Sequence, residues 1–266
     1  MLYSVIIIIV LLLFYAVYEN FFALTVRREK LGSGVRIVHL SDLHKRKFGK
    51  GNIRLINRVI AEKPDIIIVS GDFISRSEKD FSEAELLLKE LCAAAPVCMI
   101  YGNHEQSMPA EKSREFAEML ARNQQILLKN SSAELNIRGR ALKIFGLFEN
   151  YGVYKKNGGY RDLDTLSTDE ITGLLGECPD GEVLLIAHNP FFGKEYAEWG
   201  AEYTFSGHVH GGSVRLFGLA MLSPERKFFP KYSKGIYDIN RKKLLVSAGL
   251  GKLRLFDPPE IVVYEI

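Results

Sequence analysis

From Val35 onward the chain alternates between two spacings of apolar residues. Near-continuous apolar runs read as strands buried on both faces. They are "VRIVHLSD" (35–42), "DIIIVSGD" (65–72), "VCMIYGNHE" (97–105), "EVLLIAHNP" (182–190) and the shorter "AEYTFSGHVH" (201–210). Between the first three, the spacing lengthens to that of a helix. Ile53, Ile56, Val59 and Ile60 mark a helix within 52–63, ended by Pro64, and Glu83–Ala94 and Ser113–Asn123 read as two more. Further along, hairpins replace helices. Residues 133–150 turn at Arg138-Gly139, residues 234–251 turn at Asn240-Arg241, and "IVVYEI" (261–266) closes as a strand. This order predicts an α/β domain of two packed mixed β-sheets flanked by helices, not one doubly wound sheet.

The first 26 residues follow a different pattern. Residues 1–18 carry no charge, and as a helix they would be about 27 Å long, close to the thickness of a bilayer core. Glu19 and Asn20 interrupt, "FFALTV" adds apolar surface, and Arg27, Arg28 and Lys30 follow. A secretory signal has its basic residues before the apolar run; here they come after it, and no A-x-A site follows. The expectation is an uncleaved transmembrane helix over 1–26, a linker over 27–34 with Gly32 and Gly34, and one domain over 35–266. A cleaved signal and a buried core helix are the alternatives. Basic residues just past the span place the domain on the cytoplasmic side of the cell membrane.

Composition adds little. Net charge is +3, from 35 basic and 32 acidic residues, and no basic stripe with interleaved aromatics points to nucleic acid. Cys92, Cys98 and Cys178 have no metal-ribbon spacing and read as free thiols of a reducing compartment.

The chemistry lies where the strands end. Asp42-Leu43-His44 follows the first, Gly71-Asp72 the second and Gly102-Asn103-His104-Glu105 the third; later come His188-Asn189-Pro190 and Gly207-His208-Val209-His210-Gly211-Gly212. Five of the six histidines fall at these ends, the edge at which open α/β sheets place ligand sites. The sixth, His39, sits inside a strand and is assigned to structure. In extended chain, residues two apart face the same way. Asp42 and His44 can therefore reach one ion, and His208 and His210 repeat the arrangement. Asp72 can bridge two cations, Asn103 offers a neutral oxygen, and imidazoles suit Zn, Fe and related metals. Seven mixed donors exceed the needs of one ion and suit a pair about 3.5–4 Å apart. Each motif alone has an ordinary reading, such as a capped strand end or a satisfied core histidine. Five in series do not.

The series "SDLH…SGD…GNHE…AHNP…SGHVHGG" resembles the calcineurin-like metallophosphoesterases over residues 35 to about 251. "VSAGLG…PPEI" (246–261) further resembles their bacterial membrane-associated branch, which includes UDP-diacylglucosamine pyrophosphatases. The resemblance implies a four-layer sandwich and a dinuclear centre of Mn, Fe or Zn. Asp42, His44 and His210 would hold one metal, Asn103, His188 and His208 the other. Asp72 would bridge them, and His104 would be the catalytic acid.

The implied activity is a membrane-anchored phosphohydrolase cleaving a phosphodiester or pyrophosphate bond, including that of a nucleotide-linked lipid, by a metal-bridging hydroxide. A phosphomonoesterase acting on a soluble metabolite or protein, and a non-catalytic metal-binding scaffold, are the other readings. Residues 216–230 carry Leu216, Phe217, Leu219, Met221, Leu222, Phe228 and Phe229 beside the last motif. They form either an inward-packed loop or a lipid-facing lip. Lys45, Arg46, Lys47 and Lys50 form either a solvated face or a site for a second phosphate or anionic headgroups. "YKKNGGYRD" (154–162) reads as a mobile rim.

Overall fold

The structure, a computed structural model, describes residues 2–212, 214–223, 228–252 and 254–266. The N-terminal half runs α1 (Leu2–Phe21), β1 (Thr25–Lys30), β2 (Arg36–Leu40), α2 (Ile53–Ala61), β3 (Ile66–Val69), α3 (Ser82–Ala94), β4 (Val97–Met99), α4 (Asn103–Gln106), α5 (Ala110–Ala121) and β5 (Ile126–Leu127). Then come β6 (Ser131–Ile137), β7 (Arg140–Gly146), α6 (Thr168–Leu175), β8 (Val183–Ile186), α7 (Gly193–Trp199) and β9 (Tyr203–Ser206). Two hairpins, β10 (Arg215–Leu216) with β11 (Leu219–Ala220) and β12 (Gly235–Ile239) with β13 (Lys242–Val246), precede β14 (Glu260–Glu265).

Two mixed sheets form, in the orders β1-β14-β2-β3-β4-β5 and β12-β13-β9-β8-β7-β6. In the first, β2 to β5 run parallel; in the second, β7, β8, β9 and β13 do. The all-apolar strands explain the packing. Along β3, Ile66 and Ile68 face the second sheet and join Ile144, Leu184 and Phe205. Ile67 and Val69 face outward and join Leu55 of α2 and Leu88 of α3. On the far side, Leu185 and Val246 pack with Tyr196 and Trp199 of α7. The result is helices, sheet, sheet, helices, with the predicted two-sheet arrangement.

Three local expectations change. The apolar face of α2 is Leu55, Ile56 and Val59, while Ile53 and Ile60 are about half exposed: including Leu55 turns the stripe by part of a turn. The strand predicted through Gly-Asn stops at Met99, and Asn103–Gln106 is a helical turn. The first half of the expected linker, residues 27–30, is strand. Thr25–Lys30 pairs in parallel with β14, its polar residues suiting an edge. Arg27 reaches inward, bonding Glu260 at 3.2 Å and the Val246 carbonyl of the other sheet at 3.2 Å. The turns at Arg138-Gly139 and Asn240-Arg241 have positive φ at both residues, the geometry that matches strand twist.

The apolar helix α1 is exposed along nearly its whole length, with 6% of its window from Tyr3 to Phe21 buried. Its last turn is bonded to the domain. Asn20 donates to the Arg254 carbonyl at 2.7 Å and accepts the Arg254 N–H at 3.0 Å. The buried Glu19 carboxylate accepts the Phe256 N–H at 2.8 Å. Arg46, also buried, donates to the carbonyls of Glu19 and Ala23, each at 3.1 Å, and to that of Gly251 at 3.0 Å.

Candidate metal centre

Parallel strands bring their C-terminal ends to one edge of each sheet, and the two edges meet at one end of the sandwich. Asp42 and His44 follow β2, Asp72 follows β3, and Asn103 opens α4 after β4; His188 follows β8, and His208 and His210 follow β9. All seven predicted residues arrive there. Nε2 of His44 and of His210 lie 3.3 Å apart, and Nε2 of His210 is 3.6 Å from Asp42 Oδ1. His188 Nε2 lies 3.4 Å from Asp72 Oδ2 and 3.9 Å from Asp42 Oδ1. The ring of His208 stands edge-on to that of His188, centroids 5.0 Å apart.

The route to this convergence differs from the extended chain that sequence spacing suggested. Asp42, His44, Asp72, His208 and His210 all have left-handed backbone, φ between 51° and 70°. That conformation is uncommon for residues with a side chain and clusters at functional sites. It also separates the last pair. His210 converges with Asp42 and His44, whereas His208 lies beside His188.

The donors fit metal ions. His188 Nδ1 is 2.7 Å from the Ser70 carbonyl and donates to it, so Nε2 is the atom turned into the cluster, buried, making no hydrogen bond and 3.4 Å from Asp72 Oδ2. Asn103 Oδ1 is likewise buried and unpartnered. Such atoms are costly unless satisfied, and cations satisfy them. Asp42, His44 and His210 form one group, and Asp42, Asp72 and His188 a second, with donor atoms within 4.8 Å of one another. His44, Asp72 and His104 form a third. Two metal ions match this donor set. Burial would raise the carboxyl of Asp72, but the imidazoles of His188 and His44 outweigh it and hold the group well below the usual carboxylate range. Asp42 is lowered in the same way, chiefly by His210 and His188 against its burial.

Two glycines answer to the crowding. A Cβ on Gly102 would collide with Asp72 Oδ1. One on Gly207 would overlap Ser41 Oγ and lie 2.5 Å from Asp42 Oδ2. Asp42 is fully buried and accepts the His208 N–H at 3.0 Å, so it has nowhere to go. Gly207→Ala is expected to lower stability by about 1–3 kcal/mol, the usual cost of overpacking, and to weaken metal binding. Thermal melts with and without added Mn²⁺ would check it; an unchanged melting temperature would show that the neighbours yield.

Beside the donors lies a cavity of about 90 Å³, lined by Asp72, Asn103, His104, His208 and His210 together with Arg76, Tyr151, Tyr154, Lys155 and Tyr160. The last five were not assigned to the site from sequence. Tyr154, Lys155 and Tyr160 come from the expected rim, and Tyr154 is buried with its hydroxyl on Glu149 at 3.0 Å. Arg76 donates to the Tyr151 hydroxyl at 3.3 Å and its N–H to His104 Nδ1 at 3.3 Å. With Nδ1 accepting, Nε2–H of His104 is left to donate; burial pushes this imidazole down to about 4.

Glu105, the last letter of G-N-H-E, was also missed. Fully buried, it accepts the N–H groups of Asp72, Ile74 and Gly102 at 3.0, 2.9 and 2.8 Å, stapling two ligand loops together. Burial and neighbouring Asp72 push its carboxyl up to about 8.

Two other expectations resolve. His39 is a buried strand residue bonded to Ser70 Oγ at 2.8 Å. The basic run after the first motif is not a uniform solvated face. Arg46 is buried on backbone carbonyls, Lys45 bonds the Ser77 carbonyl at 2.6 Å and Lys47 pairs with Glu83 at 3.3 Å.

The profile of the family described as calcineurin-like phosphoesterase matches residues 35–212. A metallophosphoesterase of Aquifex aeolicus is 29% identical over 91% of this chain and 89% of its own length. Phosphodiesterase YaeI of Escherichia coli is 25% identical over 87% of this chain and 82% of its own. The UDP-2,3-diacylglucosamine pyrophosphatase LpxG of Chlamydia muridarum is 25% identical over 86% and 83%.

Proposed function

The chain belongs to the calcineurin-like phosphoesterases, and from that premise we propose that this metal-dependent phosphohydrolase cleaves a phosphodiester or pyrophosphate bond of a membrane lipid. The observation that carries the reading is the meeting of two donor groups with a cavity that adds Arg76 and Lys155. Donors for two cations and two further positive side chains suit a phosphoryl group with further anionic oxygens beside it, as in a pyrophosphate.

In this reading Asp42, His44 and His210 hold one ion, Asn103, His188 and His208 the other, and Asp72 serves both. When bound, the ions supply Lewis acidity and water ionised near neutral pH. The protein's own groups do the rest. Arg76 and Lys155 neutralise phosphoryl oxygens as the substrate enters. His104, its Nδ1 engaged by the Arg76 N–H, presents Nε2–H to the phosphate or the leaving oxygen. Tyr151 keeps the Arg76 guanidinium turned toward the cavity. The ligand loops, tied by Glu105, are set before substrate arrives, so little reorganisation accompanies the reaction.

Two observations support the membrane. The helix α1 has 20 residues and is apolar and exposed throughout its outer turns. Its inner end is flanked by cations, with Lys252 Nζ 4.9 Å from the Phe21 ring and Arg54 bonded to the Phe22 carbonyl at 2.6 Å. That flank supports a cytoplasmic domain. The likeness to a lipid pyrophosphatase supports the substrate class.

The test uses the full chain in detergent, loaded with Mn²⁺, against an aryl phosphodiester and an aryl phosphomonoester. Diester turnover, lost on chelation, is the expected result. Preference for the monoester would overturn the diester reading in favour of a phosphomonoesterase acting on a soluble metabolite or protein.

A further inference from the structure

The β10–β11 hairpin follows the ligand His210 by only a few residues. Its tip is Phe217-Gly218, both with positive φ, 51° and 81°. Asparagine or aspartate usually occupies the first of these positions. A phenylalanine there strains its backbone, and its ring is wholly exposed, at 102%. Nor does Phe217 stand alone. Phe229 (φ 50°) and Phe256 (φ 62°) share the left-handed backbone. Phe229 is 61% exposed, Phe228 75% and Leu219 62%. Bulky residues at positive φ are outliers, and aromatic ones that are also bare to water gain nothing from the strain in an aqueous setting.

These residues lie on neighbouring segments that connect to α1. Val214 bridges Leu255, and the Arg215 N–H bonds the Leu255 carbonyl at 2.9 Å. The next residue, Phe256, stacks on Tyr15 of α1 with centroids 5.4 Å apart. Leu222 bridges Phe228, which places Phe228 and Phe229 beside the hairpin. On the inner side, Arg215 bonds the Gly211 carbonyl at 3.0 Å and so ties the hairpin to the ligand loop. Residues 224–227 lie outside the described residues, so that part of the expected lip is not assigned.

We propose that the β10–β11 tip with Phe228 and Phe229 is a second membrane contact, seated in the headgroup–acyl boundary beside α1. This rests on the membrane reading of α1 and adds to it. The occupant is a lipid surface, because the patch continues from a helix whose whole outer length is apolar and exposed. An embedded tip turns the exposure of Phe217 into burial of apolar area, which is favourable. It also holds the ligand loop at the bilayer surface, where a lipid phosphate lies.

The experiment places a single indole at the tip. Trp199 is the chain's one tryptophan, so Phe217→Trp is made with Trp199→Phe in the full chain, reconstituted in phosphatidylcholine vesicles. A residue seated about 5–10 Å into the boundary gives blue-shifted emission, quenched by brominated acyl chains and shielded from aqueous iodide. Emission quenched by iodide and not by bromine would overturn the proposal. So would blue-shifted emission that bromine leaves untouched, which would mean burial against a second copy of the chain. Phe229→Trp repeats the measurement if the first variant does not fold. Val10→Trp in the same background reads α1 itself. If its emission is quenched by bromine and that of Phe217→Trp is not, the tip contact fails alone; if neither is quenched, the anchor reading fails with it.

Discussion

Asp72→Asn should leave a folded protein that turns over aryl phosphodiester roughly 10³-fold more slowly or worse. The amide has the same shape, and its oxygen can still accept the His104 N–H, now bonded to Asp72 Oδ1 at 2.7 Å. The negative charge is what is lost. Asp72 is 1% exposed and lies within 3.4 Å of His188 Nε2 and 3.9 Å of His44 Nε2. Asp42 shares this position, within 4.8 Å of donor atoms of both histidines, so Asp72→Asn leaves one carboxylate where there were two. Lewis-acid assistance is worth several kcal/mol, and each 1.36 kcal/mol is tenfold in rate. Metal analysis after gel filtration should show the variant holding less metal than the wild type. Undiminished turnover with full metal content would remove Asp72 from the centre.

The second large effect concerns where the folded unit begins. A chain starting at Tyr15 keeps Glu19, Asn20, Ala23 and β1. A chain starting at Leu31 loses all of them. It strips the edge of β14 and takes Arg27 from the buried Glu260. Breaking a buried pair costs about 3–5 kcal/mol. Lys234, 3.0 Å from Glu260, softens that cost, while the lost strand adds to it. At about 2–4 °C per kcal/mol for a domain of this size, the shorter chain should melt roughly 6–20 °C lower, if it folds at all. Equal melting temperatures would show that β1 is dispensable.

The sequence made the centre legible because parallel strands announce themselves as apolar runs, and polar side chains gather where those runs end, with His39 inside β2 an exception. Asp42, Asp72 and His188 could be read that way. The grouping of His208 and His210 followed from the family resemblance and not from spacing, since left-handed backbone at alternate residues breaks the period-two rule. Arg76, Tyr151, Glu105 and Glu149 were also illegible. Their roles depend on contacts across the fold, such as Glu105 reaching the N–H of Asp72 in another loop. Strand β1 was hidden by its charge, which suits an edge and reads as a linker. Helix α6 had a signal that went unused: Ser167 and Glu170 form a capping box at its start.

The polar joint at the end of α1 has a kinetic consequence. Arg46, two residues past His44, grips the helix end and Gly251 together. In the proposed membrane setting, the helix is then a mast stepped into the domain and not a tether. The centre would stay at one height and search for substrate in two dimensions. Its rate would follow the mole fraction of substrate in the lipid and fall on dilution with inert lipid, at constant bulk concentration.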